Sequence, residues 1–123
     1  MERDMELIRT ILLKVEADPK FHGELQSIGA ASLGITDHTE PEVIYHVVML
    51  IEAGLLVGNT KMARAGAVVV SKLTWEGHEF LDDIRDPEIW RKTKTRAKAL
   101  AGVGMNFIWE IAKAEIKTKL GLP

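Results

Sequence analysis

The chain has 123 residues, 46% hydrophobic and 28% charged, a balance that excludes intrinsic disorder and suits one domain, or one domain with an appended helical segment. It contains no cysteine, which excludes disulfides and thiolate chemistry and makes a reducing cytoplasm the expected location. The net charge of −2 hides an asymmetry: residues 1–84 hold 7 Lys and Arg against 14 Asp and Glu, whereas residues 85–123 hold 9 against 4.

The opening Met-Glu-Arg-Asp-Met-Glu has neither the basic start nor the apolar run of a secretory signal. No stretch approaches the roughly 18 uninterrupted apolar residues of a membrane span, so no membrane association is expected.

A first helix is predicted over Asp4 to Ala17, with Leu7, Ile8, Ile11, Leu12 and Val15 on one stripe and Asp4 able to cap its start. Asp18-Pro19 stops it. Glu24 to Ile28 alternates as a weak strand does, and residues 29–38, with two glycines, read as loop. Thr39 and Glu42 then make a capping box, and Pro41 suits the first helical turn. That helix should reach Glu52 or Ala53 and bury Ile44, Val47, Val48, Ile51 and then Leu55. Gly54 stands where a helix end wants a left-handed residue.

Two short strands are expected next, at Leu55 to Val57 and Val68 to Ser71, separated by a loop carrying Lys61 and Arg64. Thr74 caps a further helix whose Phe80, Leu81 and Ile84 face the core. Asp86-Pro87 opens another, which carries Trp90 and the basic run Arg91, Lys92, Lys94, Arg96 and Lys98. Gly102-Val103-Gly104 should break it. A last helix runs from about Met105 to Leu120. Trp75, Trp90 and Trp109 are all expected to bury their rings.

The order helix, Ala-Gly-Leu-Leu, hairpin, Leu-Thr-x-x-Gly helix has the pattern of a winged helix. The expected fold is therefore α+β: a winged-helix-like domain over residues 1–85 and a helical C-terminal extension over residues 86–123. The winged helix suggests nucleic acid, and the charges oppose it. A recognition helix offers cationic or amide side chains to base edges. The polar residues of 40–53 are Glu40, Glu42, Tyr45, His46 and Glu52, with no Lys or Arg, and carboxylates repel phosphate.

Lys61, Arg64, Arg91, Lys92, Lys94, Arg96 and Lys98 are the candidate contacts to nucleic acid or to an acidic partner. In the last helix Ile108, Ala112, Ile116 and Leu120, with Met105 and Trp109 alongside, form a stripe available for self-association into a homodimer. Glu42/His46 and His78/Asp82 share helix faces at i, i+4 spacing, but no clustered triplet follows, so no metal is expected. No nucleophile, carboxylate pair or phosphate loop assembles, so neither catalytic residues nor a cofactor are expected.

Three strings carry a resemblance: Arg3-Asp4-Met5-Glu6-Leu7-Ile8-Arg9; Tyr45-His46 followed by Leu50-Ile51-Glu52-Ala53-Gly54-Leu55; and Leu73-Thr74-Trp75-Glu76-Gly77-His78-Glu79-Phe80-Leu81-Asp82. Over residues 3 to 95 the chain resembles the bacterial family called Domain of Unknown Function 2513, often found in phage or prophage settings. The resemblance implies a winged-helix-like fold and an accessory or regulatory role, and it supplies no catalytic residues. The expected function is a small non-enzymatic interaction or regulatory protein acting through protein contacts or self-association. The alternative is a DNA-binding transcriptional regulator using the wing and the basic C-terminal helix.

Overall fold

The computed structural model describes residues 1–99 and 104–123, so Gly102 and Val103 of the expected helix break lie outside the described residues. The fold is mixed α+β. Its helices are α1 (Met5–Ala17), α2 (Ala30–Leu33), α3 (Glu40–Glu52), α4 (Trp75–Ile84), α5 (Pro87–Lys98) and α6 (Met105–Leu120). The strands β1 (Gln26–Ile28), β2 (Leu56–Asn59) and β3 (Val68–Leu73) form one antiparallel sheet in the order β1-β3-β2. The chain divides into two compact units, Met1–His78 and Glu79–Pro123. The division falls inside α4, upstream of the boundary expected after residue 85. No helix among the described residues is long and apolar enough to cross a membrane.

In the first unit α1 packs on α3, α2 and β3, and α3 packs on β2 and β3. The stripe of α1 is buried as its spacing predicts, from Leu7 to Val15. Each fully buried Leu or Ile stabilises the unit by roughly 1.5–3 kcal/mol against its exposed state. On α3 the buried face is rotated from the expected one. Val43, Ile44, His46, Val47 and Leu50 are buried, while Val48 and Ile51 are half-buried. The stripe 43, 46, 47, 50 has equally good helical spacing, but it admits a histidine that was read as solvated.

The segment read as loop before α3 contains the four-residue helix α2. Its start is held from outside by Glu40, whose Oε1 accepts from the Ala30 amide at 3.0 Å, and from within by Ser32, whose Oγ accepts from the Gly29 amide at 2.9 Å. Gly34, at φ 69°, ends it. So short a helix is not stable alone, so propensity gives little sign of it.

The two strings Ala53 to Leu56 and Leu73 to Gly77 form one joint. Gly54 is left-handed, with φ 78°. The Thr74 amide donates to the Leu55 carbonyl at 3.1 Å, and the Thr74 hydroxyl donates to the Gly54 carbonyl at 2.6 Å. That hydroxyl also accepts from the Gly77 amide at 2.9 Å, capping α4. A Cβ on Gly77 would overlap the Leu55 carbonyl oxygen, so only glycine lets α4 approach so closely. Thr74 and Gly77 of the third string are thus explained by this joint. Trp75, expected to be buried, is 75% exposed, because as the first residue of α4 it lies on the side away from Phe80 and Leu81.

In the second unit Asp86 caps α5, accepting from the Glu88 amide at 2.8 Å and the Ile89 amide at 3.0 Å. Helix α5 packs on α6. Trp109 of α6 meets Phe80 edge to face at 5.7 Å and donates its indole N–H to Asp83 Oδ2 at 2.6 Å. That hydrogen bond satisfies the polar edge of the half-buried indole.

Candidate interaction surfaces

The polar side chains of helix α3 are mostly engaged within the unit. Glu40 holds the start of α2. Glu42 Oε1 accepts from the Thr39 amide at 3.1 Å and the Thr39 hydroxyl at 3.0 Å, and these bonds hold its carboxyl below the usual range. His46 is buried, its Nε2 accepting from the Asp4 amide at 2.8 Å. Its Nδ1 lies 2.7 Å from the Glu42 carbonyl and must carry the proton, since an amide can only donate to the other nitrogen. The Glu42/His46 pair therefore does not converge as two ligands. Tyr45, 40% exposed, and Glu52 remain outward.

The loop between β2 and β3 spans residues 60–67. Asn59 Oδ1 accepts from the Lys61 amide at 2.8 Å, and a single 3-10 turn, Ala63–Ala65, ends at Gly66 with φ 83°. Lys61 and Arg64 are exposed, and between them Met62 is 62% exposed. Val57 on β2 is also exposed, at 40%. Sequence reasoning fixed on the cations of this hairpin and passed over its apolar side chains.

The basic run of α5 belongs to the other unit and is partly neutralised there. Lys92 pairs with Glu88 at 3.0 Å, Arg96 with Glu115 at 3.0 Å, and Lys94 lies 5.7 Å from the centre of the Trp90 ring. Lys119 of α6 joins the cap of α5, 2.9 Å from Asp86 and 3.8 Å from Glu88. These bonds hold Asp86 and Glu88 below the usual carboxylate range: the Ile89 amide acts most on Asp86, and Lys92 most on Glu88. Arg91 and Lys98 are exposed and have no side-chain partner among the described residues. Two turns apart, they share an outward stripe with Lys94.

The stripe expected to be offered to a second copy is largely covered by its own chain. Ile108 is 1% exposed and Ala112 fully buried, with Ile111 beside them at 5%. Ile116, Met105 and Trp109 are half-buried, and Leu120 alone of the set is exposed, at 66%. The reason is that α5 and α6 pack together, so each uses the other to bury its apolar face.

One constellation had no signal in the sequence. His38 Nε2 lies 2.9 Å from Asp4 Oδ2, and its Nδ1 3.1 Å from Asp37 Oδ1. Both contacts, that to Asp4 the stronger, push the imidazole above its ordinary value. At Asp4 partial burial opposes the charge, but the bonds from His38 and the Leu7 amide outweigh it and hold the carboxyl low. Asp4 also caps α1, accepting from the Leu7 amide at 3.1 Å. Among the described residues, no group of three or more His, Cys, Asp or Glu could hold a metal ion.

These observations define an α+β protein of two compact units, the first built on a small antiparallel sheet. The chain belongs to the family described as "Hypothetical protein (DUF2513)", whose family model matches residues 2–104. A relative from Haemophilus influenzae (strain ATCC 51907 / DSM 11121 / KW20 / Rd), described as "Uncharacterized protein", is 32% identical over 122 residues, covering 98% of this chain and 99% of the relative. No solved structure matches the chain.

Proposed function

We propose that this chain is a regulatory interaction protein of winged-helix type that acts through protein contacts. The order helix, strand, helix, helix, strand, strand in its first unit, with the sheet order β1-β3-β2 and a loop between the last two strands, supports the winged-helix reading. The observation that carries the functional reading is the surface of α3. It has no cation, its Glu40, Glu42 and His46 are engaged internally, and Tyr45 stands outward. Such a helix offers no Lys, Arg, Asn or Gln to base edges and neutralises no phosphate. The exposed Val57 and Met62 on the hairpin are side chains suited to a protein partner.

A photo-crosslinking residue at position 45 or 62, introduced in the native bacterial host, tests this. Adducts to a discrete protein are expected. Adducts to DNA alone, or selection from random duplexes of one defined sequence bound at nanomolar strength in physiological salt, would overturn it.

The second reading, a DNA-binding regulator, rests on the exposed Lys61, Arg64, Arg91 and Lys98. Binding through these groups reaches phosphates only. It is then sequence-tolerant and steeply weakened by salt.

A further inference from the structure

We propose that His38 is a pH-sensitive latch that, when charged, clasps the start of α1 to the α2–α3 connection and, when neutral, lets that seam loosen. The geometry carries the argument. The two ring nitrogens of His38 each face a carboxylate oxygen, Asp4 on one side and Asp37 on the other, at 2.9 and 3.1 Å. An imidazolium satisfies both, because both nitrogens donate. A neutral ring has one N–H, so its second nitrogen then presents a lone pair to a carboxylate. Neutralisation therefore loses one arm outright, and where the ring keeps its proton on Nε2 it takes the charge from the Asp4 arm and leaves a weaker hydrogen bond there.

Only the Asp4 arm crosses between elements, because Asp37 is the chain neighbour of His38. Asp37 lies in the connection before α3 and is 82% exposed at its side chain. Asp4 is the N-cap of α1, and its own amide donates to the buried His46 of α3. The Asp4 arm thus reaches the first turn of α1 and the interior of α3 together. Among the described residues Glu42 also faces the latch, and His38 helps to hold its carboxyl low. The His38 side chain is only 17% exposed, so the arms are partly shielded from solvent.

The direction follows from the raised imidazole. The latch contributes fully below the ordinary value of 6.5 and is lost as the pH rises through the higher folded value. The low carboxyls of Asp4 and Asp37 contribute above their ordinary 3.8 and are lost only in stronger acid. The clasp is therefore closed below 6.5 and opens as the pH rises past the raised value of His38.

Nuclear magnetic resonance on the full chain tests this. The His38 ring is expected to titrate above 6.5, and the exchange protection of the Leu7 amide, corrected for the intrinsic pH dependence, is expected to fall several-fold over the same interval. In His38→Gln that step should vanish. Should that variant unfold, Asp37→Asn removes the exposed arm alone and should bring the titration of His38 down towards 6.5 with the fold intact. A His38 titration at or below 6.5 in the unaltered chain, a Leu7 protection flat across it, or a step that survives in His38→Gln would overturn the proposal.

Discussion

Gly54 and Gly77 are both indispensable in this structure, for different reasons. A Cβ at Gly54 meets nothing within 4 Å, so the constraint is the backbone, at φ 78°. Gly54→Val should therefore destabilise the protein by about 1–3 kcal/mol, and Gly54→Asn by less, because asparagine tolerates the left-handed region. Equal melting temperatures for the two variants would show that backbone conformation is not the cause. At Gly77 the backbone is helical and space is the constraint. Replacing a helical glycine by alanine ordinarily stabilises by up to about 1 kcal/mol. Here the methyl group would strike the Leu55 carbonyl, and overpacking against backbone typically costs about 1–3 kcal/mol. Gly77→Ala is thus expected to lower stability in chemical denaturation, and a gain would show that α4 can move aside.

The elements that look most functional in the sequence divide on inspection into engaged and idle groups. Two of the three carboxylates of helix α3 serve caps, Glu42 that of its own start and Glu40 that of α2. Helix α5 owes Lys92 and Arg96 to ion pairs within its unit, leaving Arg91 and Lys98 outward. Exposed ion pairs are worth little each, so α5 is positioned by Ile89 and Trp90, both 3% exposed, rather than by its charges. Arg91→Ala with Lys98→Ala should accordingly leave thermal stability within about 0.5 kcal/mol of the parent. If the chain meets nucleic acid at all, the same pair should weaken binding to every duplex alike and reduce the salt slope by about 2. Fluorescence anisotropy across a salt series reads both outcomes, and a change confined to one sequence would assign these residues a base-reading role.

At the scale of the molecule, the packing of α5 on α6 changes the meaning of the last helix. Its stripe reads as an interface for a second copy, yet Ile108, Ile111 and Ala112 are already covered. A chain ending at Ala101 should melt at a lower temperature and bind a hydrophobic dye, since Ile89, Trp90 and Phe80 lose apolar cover. If that chain instead melts as the full one does, and light scattering shows a dimer becoming a monomer, the stripe is an interface after all.

What the sequence determined by itself is the local content. Helix starts are written in short-range chemistry, as at Asp4, Thr39 and Asp86, where a side chain caps amides two or three residues on. The stripe of α1, the left-handed Gly54 and the extent of α6 follow from the same short-range rules, and membership of the family was legible in the three strings that resemble it. The tertiary structure decided what depends on partners distant in the chain. It alone made α2, whose start needs Glu40 ten residues later, and it alone joined His38 to Asp4 across 34 positions. It buried His46, whose place in the stripe of Val43, Val47 and Leu50 was legible but whose two hydrogen bonds were not. It turned Trp75 outward and the stripe of α6 inward. The physical reason is common to all of these: periodicity fixes which residues share a face, and only packing fixes which face finds a neighbour.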